Sequence, residues 1–254
     1  MRILRNVVMV LIVLLVIGAV IVATCPAEYA YRFVADRLGV VKLGGIAGSI
    51  WQGHASTVQV FGQPIGAVDW QLEAAPLLSR EVMAHVRLSG AEVTAAGIVQ
   101  RTPDGTISVR EATFRVPARM AEPALDIPAL QFLGTIDGTL AEARLHGVWV
   151  EQASGTLKWN DAAVAGAAQA QFGTLEATFS SAPDGSIAGV AHDTGGPLQL
   201  NGTFKVSAGS FDADAILASR DGNPQVNEAL HYIGQLQADG SSHLIVHGQL
   251  FRLF

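Results

Sequence analysis

The chain has 254 residues, one cysteine and a formal net charge of −6. It is half hydrophobic and only 15 % charged, where ordinary soluble domains carry about 25 %. An acidic chain without a basic stripe argues against nucleic acid as a partner, and a single cysteine excludes an intramolecular disulfide.

The first element in chain order is an apolar run. Between Arg5 and Glu28 lie 22 residues without charge, which as a helix would span roughly 33 Å, enough to cross a bilayer. Residues 1–27 therefore read as a cytoplasmic N-terminus and a transmembrane anchor, its apolar wall formed by Val7, Leu11, Leu14, Leu15, Ile17, Val20 and Ile21. Arg2 and Arg5 flank the run, and the positive-inside rule places them in the cytoplasm and the body outside. In a bacterium that body is periplasmic and the anchor sits in the inner membrane. Two other readings compete. A cleaved signal peptide needs an apolar stretch of about 7–15 residues and a small-residue cleavage site, whereas Val7 to Ala23 is longer and no clean A-x-A site follows. A lipoprotein would be processed at Cys25, where Thr24 before it and Pro26 after it are both unfavourable. The uncleaved anchor fits best.

Residues 28–39 read as a juxtamembrane amphipathic helix. Tyr29, Phe33, Val34 and Leu38 recur at helical spacing, and Gly39 stops the pattern. Tyr29, Tyr31 and Arg32 suit a membrane interface.

Residues 40–254 read as a β-rich periplasmic domain, because from Val40 the period becomes two. Val82, Ala84, Val86 and Leu88 share one face. So do Leu198, Leu200, Phe204 and Val206, then Phe211, Ala213, Ala215 and Leu217, and finally Leu244 and Val246. Turns are predicted at Pro103-Asp104-Gly105, Pro183-Asp184-Gly185, Asp221-Gly222 and Asp239-Gly240. Glycines crowd the first strands, which predicts bulges and a curved sheet. One further helix is predicted from Asn223 as N-cap and Pro224 at its first position, with Val226, Leu230 and Ile233 on one face.

Three short echoes suggest two similar meander halves. Gly48-Ser49-Ile50 resembles Gly138-Thr139-Leu140, Trp70 resembles Trp159, and the two Pro-Asp-Gly turns resemble each other. Prolines 117, 123 and 128 would then connect the halves. The fold class is mainly β: one N-terminal transmembrane helix, then a curved, largely antiparallel sheet with one or two short helices.

Chemistry is sparse. No nucleophile elbow, phosphate-binding loop or zinc-protease helix is present. His243 and His247 would lie about 13 Å apart in a strand, too far for one ion. Asp212 and Asp214 share a strand face and read as solvated. His192 and Asp193 could pair with any of many serines, but nothing in the chain fixes that geometry, and Gly195-Gly196-Pro197 reads as a loop. The chain is read as no enzyme, with no cofactor and no metal.

The most specific signal is Gly48-Ser49-Ile50-Trp51-Gln52-Gly53-His54-Ala55. Trp51 between two glycines in a strand would plug the apolar face or shape a docking surface. This motif, placed after one N-terminal anchor and a Pro26-Ala27 exit, resembles the type II secretion system protein N family. The C-terminal pattern agrees: a helix over Val226 to Leu236, Gly234, Asp239-Gly240, and a last strand ending Gly248-Gln249-Leu250. The layout is also similar to AsmA-like envelope proteins. The resemblance implies a bitopic inner-membrane subunit that supports export of folded proteins across the outer membrane. Its expected partners are other inner-membrane or periplasmic subunits of that machine, within the inner membrane or along an exposed sheet edge. Gly48, Ser49, Ile50, Trp51, Gly53 and Ala55 would serve structure or docking. The alternative is a lipid-guiding protein whose apolar sheet face is left open as a groove.

Overall fold

The computed structural model describes residues 25–37, 39–122, 129–147, 149–207 and 210–249. The anchor residues Val7, Leu11, Leu14, Leu15, Ile17, Val20 and Ile21 lie outside the described residues. Among the described residues no helix is long and apolar enough to cross a membrane. The chain divides into two compact units, with the boundary between Ala91 and Glu92.

The first unit opens with α1 (Ala27–Val34), which continues as a 3-10 turn over Ala35–Arg37. The spacing predicts a helix over 28–39; the described helical turns end at Arg37, and Leu38 lies outside the described residues. An antiparallel meander follows: β1 (Val41–Gly48), β2 (Gln52–Val60), β3 (Gln63–Leu72) and β4 (Val82–Ser89). In β4 the alternation holds from Ala84 on: Ala84, Val86 and Leu88 are half-buried and His85, Arg87 and Ser89 exposed, whereas at the start of the strand Val82 is exposed and Met83 half-buried. The sheet buries Ala55 and Val58, and Ala27 of α1 is buried as well.

The second unit is also an antiparallel meander. Its strands are β5 (Thr94–Arg101), β6 (Thr106–Pro117), β7 (Leu130–His146), β8 (Trp149–Gly166), β9 (Ala170–Ser181), β10 (Ile187–Asp193), β11 (Leu198–Ser207) and β12 (Ser210–Ser219). β14 (Ser242–Gln249) pairs with β12, and the two-residue β13 (Gln235–Leu236) pairs with the start of β14. β7 and β8 run 17 and 18 residues. Strands of that length stay compact only if they bend, and register shifts interrupt their pairing at three places. Glu111 and Asp161 take positive φ at such irregularities.

The two faces of this sheet differ chemically. One lateral row reads Leu140, Gly155, Phe179, Gly189, Phe204, Ala213, Val246 from β7 to β14. Aromatic rings alternate with glycines in it because each ring leans over its glycine neighbour. A Cβ on Gly189 would lie 2.3 Å from the Phe204 ring, and one on Gly138 would lie 2.1 Å from Phe114. The opposite face carries Arg115, Asp137, Lys158 and Glu176 side by side on four neighbouring strands. Their signs alternate. Arg115 Nε donates to Asp137 Oδ1 at 2.5 Å and Lys158 Nζ lies 2.9 Å from Glu176 Oε1. Cross-strand ion pairs of this kind favour one register over its neighbours.

The main core sits at one end of the apolar face, under α2 (Pro224–Leu230). Asn223 caps this helix as its sequence predicts, its side chain accepting from the backbone N–H of Gln225 and Val226 at 3.0 and 3.2 Å. Val226, Ala229 and Leu230 are 0 % exposed and Ile233 is buried beside them. Complete burial of a Val or Leu contributes roughly 1.5–3 kcal/mol each. The expected extension of the helix to Leu236 does not occur. Bonds from Tyr232 N to Ala229 O and from Ile233 N to Leu230 O tighten the last turn, and Gly234 takes φ +101. That geometry leaves the helix and sends Gln235 and Leu236 into β13.

The echoes divide. Both Pro-Asp-Gly segments form the same hairpin turn, between β5 and β6 and between β9 and β10. Trp70 and Trp159 each donate an indole N–H to a backbone carbonyl, of Ile50 at 3.3 Å and Leu133 at 2.8 Å. Gly48 to Ile50 and Gly138 to Leu140 are not alike. The first leaves a strand into a turn, whereas the second lies mid-strand in β7. Nor do the prolines separate two halves, because β6 and β7, on either side of them, pair with Val116 opposite Ile136 inside the second unit.

Candidate functional site

The motif at 48–55 is the place to build from, since it joins four segments of the first unit. β1 ends at Gly48, whose φ of +88 turns the chain. A side chain there would put its Cβ 2.6 Å from Gln52 O, so glycine is required sterically as well. Ser49 closes the turn on itself. Its backbone N–H donates to Gln52 O at 2.9 Å, and its Oγ accepts from Gln52 N at 3.2 Å. Trp51 therefore lies in this turn and not in a strand, which corrects the reading of it as a strand-borne plug. The serine-closed turn carries the chain round from the end of β1, and β2 begins only at Gln52.

From this turn bonds run outward. Ile50 N–H donates to Cys25 O at 3.0 Å, and Pro26 bridges to Ser49. Trp51 O accepts from Leu72 N at 2.7 Å, and Ile50 O accepts the Trp70 indole N–H. Gly53 faces Trp70 across β2 and β3, and Ala55 is 0 % exposed two residues on. The motif thus fastens the segment entering at Cys25 to the end of β3. α1 adds a second fastening, since the Tyr31 hydroxyl accepts the Leu43 N–H of edge strand β1 at 3.0 Å. Each of these bonds contributes about 1 kcal/mol, and they act on one short stretch.

The histidines hold a pattern that sequence reasoning missed. His54, inside the motif, lies 2.8 Å from Asp69, and His85 lies 2.9 Å from Glu73. On β14, His243 reaches Asp214 at 2.9 Å and His247 reaches Asp212 at 2.7 Å. Asp212 and Asp214 therefore serve different histidines. Only the strand register brings these pairs together, so no spacing along the chain signals them. No group of three or more His, Cys, Asp or Glu among the described residues is arranged to hold a metal ion.

Asp193 is a structural anchor in the second unit. It accepts from Gly195 N at 3.1 Å and Leu200 N at 3.0 Å, and it pairs with Arg220, which also donates to Gly196 O at 2.8 Å. Burial pushes its carboxyl up, but the two backbone N–H groups and Arg220 outweigh that and hold it below the ordinary carboxylate value. It orders the loop between β10 and β11. Neighbouring His192 is exposed and has no part in this.

The first unit is thus a β-meander whose entering segment is tied to one motif turn by backbone bonds. The family model described as Type II secretion system (T2SS), protein N, matches residues 40–244, and the chain belongs to that family. It is 27 % identical over 164 residues to the Type II secretion system protein N of Vibrio cholerae, an alignment covering 63 % of this chain and 64 % of that protein. No solved structure matches it. The motif at 48–55 lies inside the matched region.

Proposed function

We propose that this chain is a non-catalytic subunit of the type II secretion machinery, anchored in the inner membrane with its β-rich body in the periplasm. The observation that carries the reading is the clasp. Cys25 and Pro26, the first described residues, stand at the end of the 22-residue uncharged stretch and are bonded to the motif turn. A chain held so close to its exit would pass the position of the anchor on to the first sheet. Arg2 and Arg5 support a cytoplasmic N-terminus. Partners are other inner-membrane or periplasmic subunits of the same machine. β14 supports edge docking, because β13 covers only Ser242 and His243 and leaves the rest of that edge unpaired among the described residues.

The test is co-purification. The tagged full chain, extracted in mild detergent from a secreting strain, should bring down known inner-membrane secretion subunits. A Gly48→Val variant that breaks the clasp should recover less of them at equal expression. Clean recovery of the chain without any secretion subunit would contradict the assignment.

A lipid-guiding role is the second reading, and one observation favours it. Phe179, Phe204 and Phe211 form a continuous aromatic run, with ring centroids 6.5 and 6.4 Å apart, and remain half-buried. Native mass spectrometry of the purified protein would show a bound lipid if that run holds one.

A further inference from the structure

The outward face of α1 has the wrong chemistry for water. Small residues face the sheet: Ala27 is buried, Ala30 half-buried, and Tyr31 is tied to β1 through its hydroxyl. Tyr29 and Phe33, four apart and hence neighbours on one side of the helix, are 61 % and 83 % exposed. A helix folded against its own protein in water would place these side chains inward. Arg32 lies over the Tyr29 ring at 5.5 Å and pairs with Glu28 along the flank of this stripe.

A third exposed aromatic stands at the end of β1 towards which α1 runs. Phe61 occupies the turn between β2 and β3, with φ +52, and donates its N–H to Val40 O at 3.2 Å. It is 57 % exposed and Val40 is 46 % exposed. Asn, Asp or Gly would sit in that turn without strain. An exposed phenylalanine in left-handed geometry is retained at a cost, which points to a contact made by its ring.

Two observations select a lipid surface as the occupant. The residues from Asn6 to Thr24 are all uncharged and lead directly to Cys25, so α1 is the first element after them. Tyr, Phe and Arg on one short helix are also the combination suited to the headgroup boundary, where rings enter and charges stay wet. We propose that α1 lies in the plane of the bilayer surface with Tyr29 and Phe33 inserted at the acyl boundary, and that Phe61 is a second point of contact. This rests on the anchored reading above. It makes α1 a levelling element that sets edge strand β1 along the membrane.

The test uses the full chain reconstituted in vesicles of phosphatidylethanolamine and phosphatidylglycerol. An environment-sensitive fluorophore is attached at Phe33→Cys or, separately, Tyr29→Cys, each with Cys25→Ser, and at Gln199→Cys as an exposed control. Spin-labelled lipid should quench positions 29 and 33 at least about threefold more than position 199. Stable insertion with both labels open only to an aqueous quencher would overturn the surface proposal and leave the anchor intact. Shielding that appears only when other secretion subunits are added would assign the face to a protein and overturn it too. Loss of the chain from vesicles in an alkaline wash would overturn the anchored reading and the proposal with it.

Discussion

The Trp70 indole fills the space a side chain at Gly53 would need. A Cβ built on Gly53 lies 2.2 Å from Cζ2 of Trp70 and 2.9 Å from Ser49 O. The same indole donates to Ile50 O, so the second glycine of the motif and its turn are locked by one side chain from β3. Gly53→Ala is expected to destabilise the protein by about 1–3 kcal/mol, because neither the ring nor the backbone oxygen can move aside freely. Thermal unfolding measures the loss, and a shift in tryptophan emission reports the displaced ring.

The cap and core of α2 give a second prediction. Leu230→Ala removes a side chain with no exposure from the main core and should cost about 2–5 kcal/mol. Asn223→Ala removes the acceptor for two backbone N–H groups and should cost about 1 kcal/mol. Urea unfolding separates the two, provided the m-values stay equal.

Arg220 and Asp193 give a third. Arg220→Met leaves Asp193, whose side chain is only 15 % exposed, without its cation, and is expected to cost about 1–3 kcal/mol at pH 7. The Asp193 carboxyl is held below its ordinary value in the folded chain. Its contribution is therefore complete above the unfolded value near 4 and lost as the pH falls through the folded one. The gap between wild type and Arg220→Met should narrow in acid, and unfolding at pH 7 and pH 3 checks it.

The turn aspartates give a fourth. Hydrogen bonds from the Thr102 and Thr106 hydroxyls and the Thr106 N–H hold the Asp104 carboxyl down to about 2. At the equivalent turn, Lys205 and then Ser186 hold Asp184 well below the carboxylate range. Both turns are stabilised by the ionised form, present above the ordinary value near 3.8 and lost only as the pH falls towards the lowered one. Carboxyl NMR titration should find the Asp104 midpoint about 2, and Thr102→Ala with Thr106→Val should return it towards about 3.9.

Much of this was legible in the chain because its signals are local. Alternation in Leu198 to Val206 needs only a two-residue period, and Asn223-Pro224 needs only a cap and a fixed φ. The type of turn at Asp104 and Asp184 is likewise set by three adjacent residues. What escaped depends on partners far along the chain. Trp51 reads as a strand residue until Cys25 and Leu72 are seen to bond its turn, and the helix at Val226 reads on to Leu236 until Gly234 meets His243 and Leu244. The pairing of His54 with Asp69 and of His247 with Asp212 depends on register, which alternation alone leaves open. Within the motif, the resemblance picks out Gly48, Gly53 and Ala55, but the ring beside Gly53 belongs to Trp70, outside the motif.

The most direct measurement of the central claim is export in a strain deleted for this chain. Enzymes that normally reach the medium are assayed in medium and periplasm, with an intact copy and a Gly53→Val copy restored in parallel. Folded enzyme held in the periplasm, released by the intact copy and less so by Gly53→Val, is the predicted result. Unchanged export in the deleted strain would contradict it.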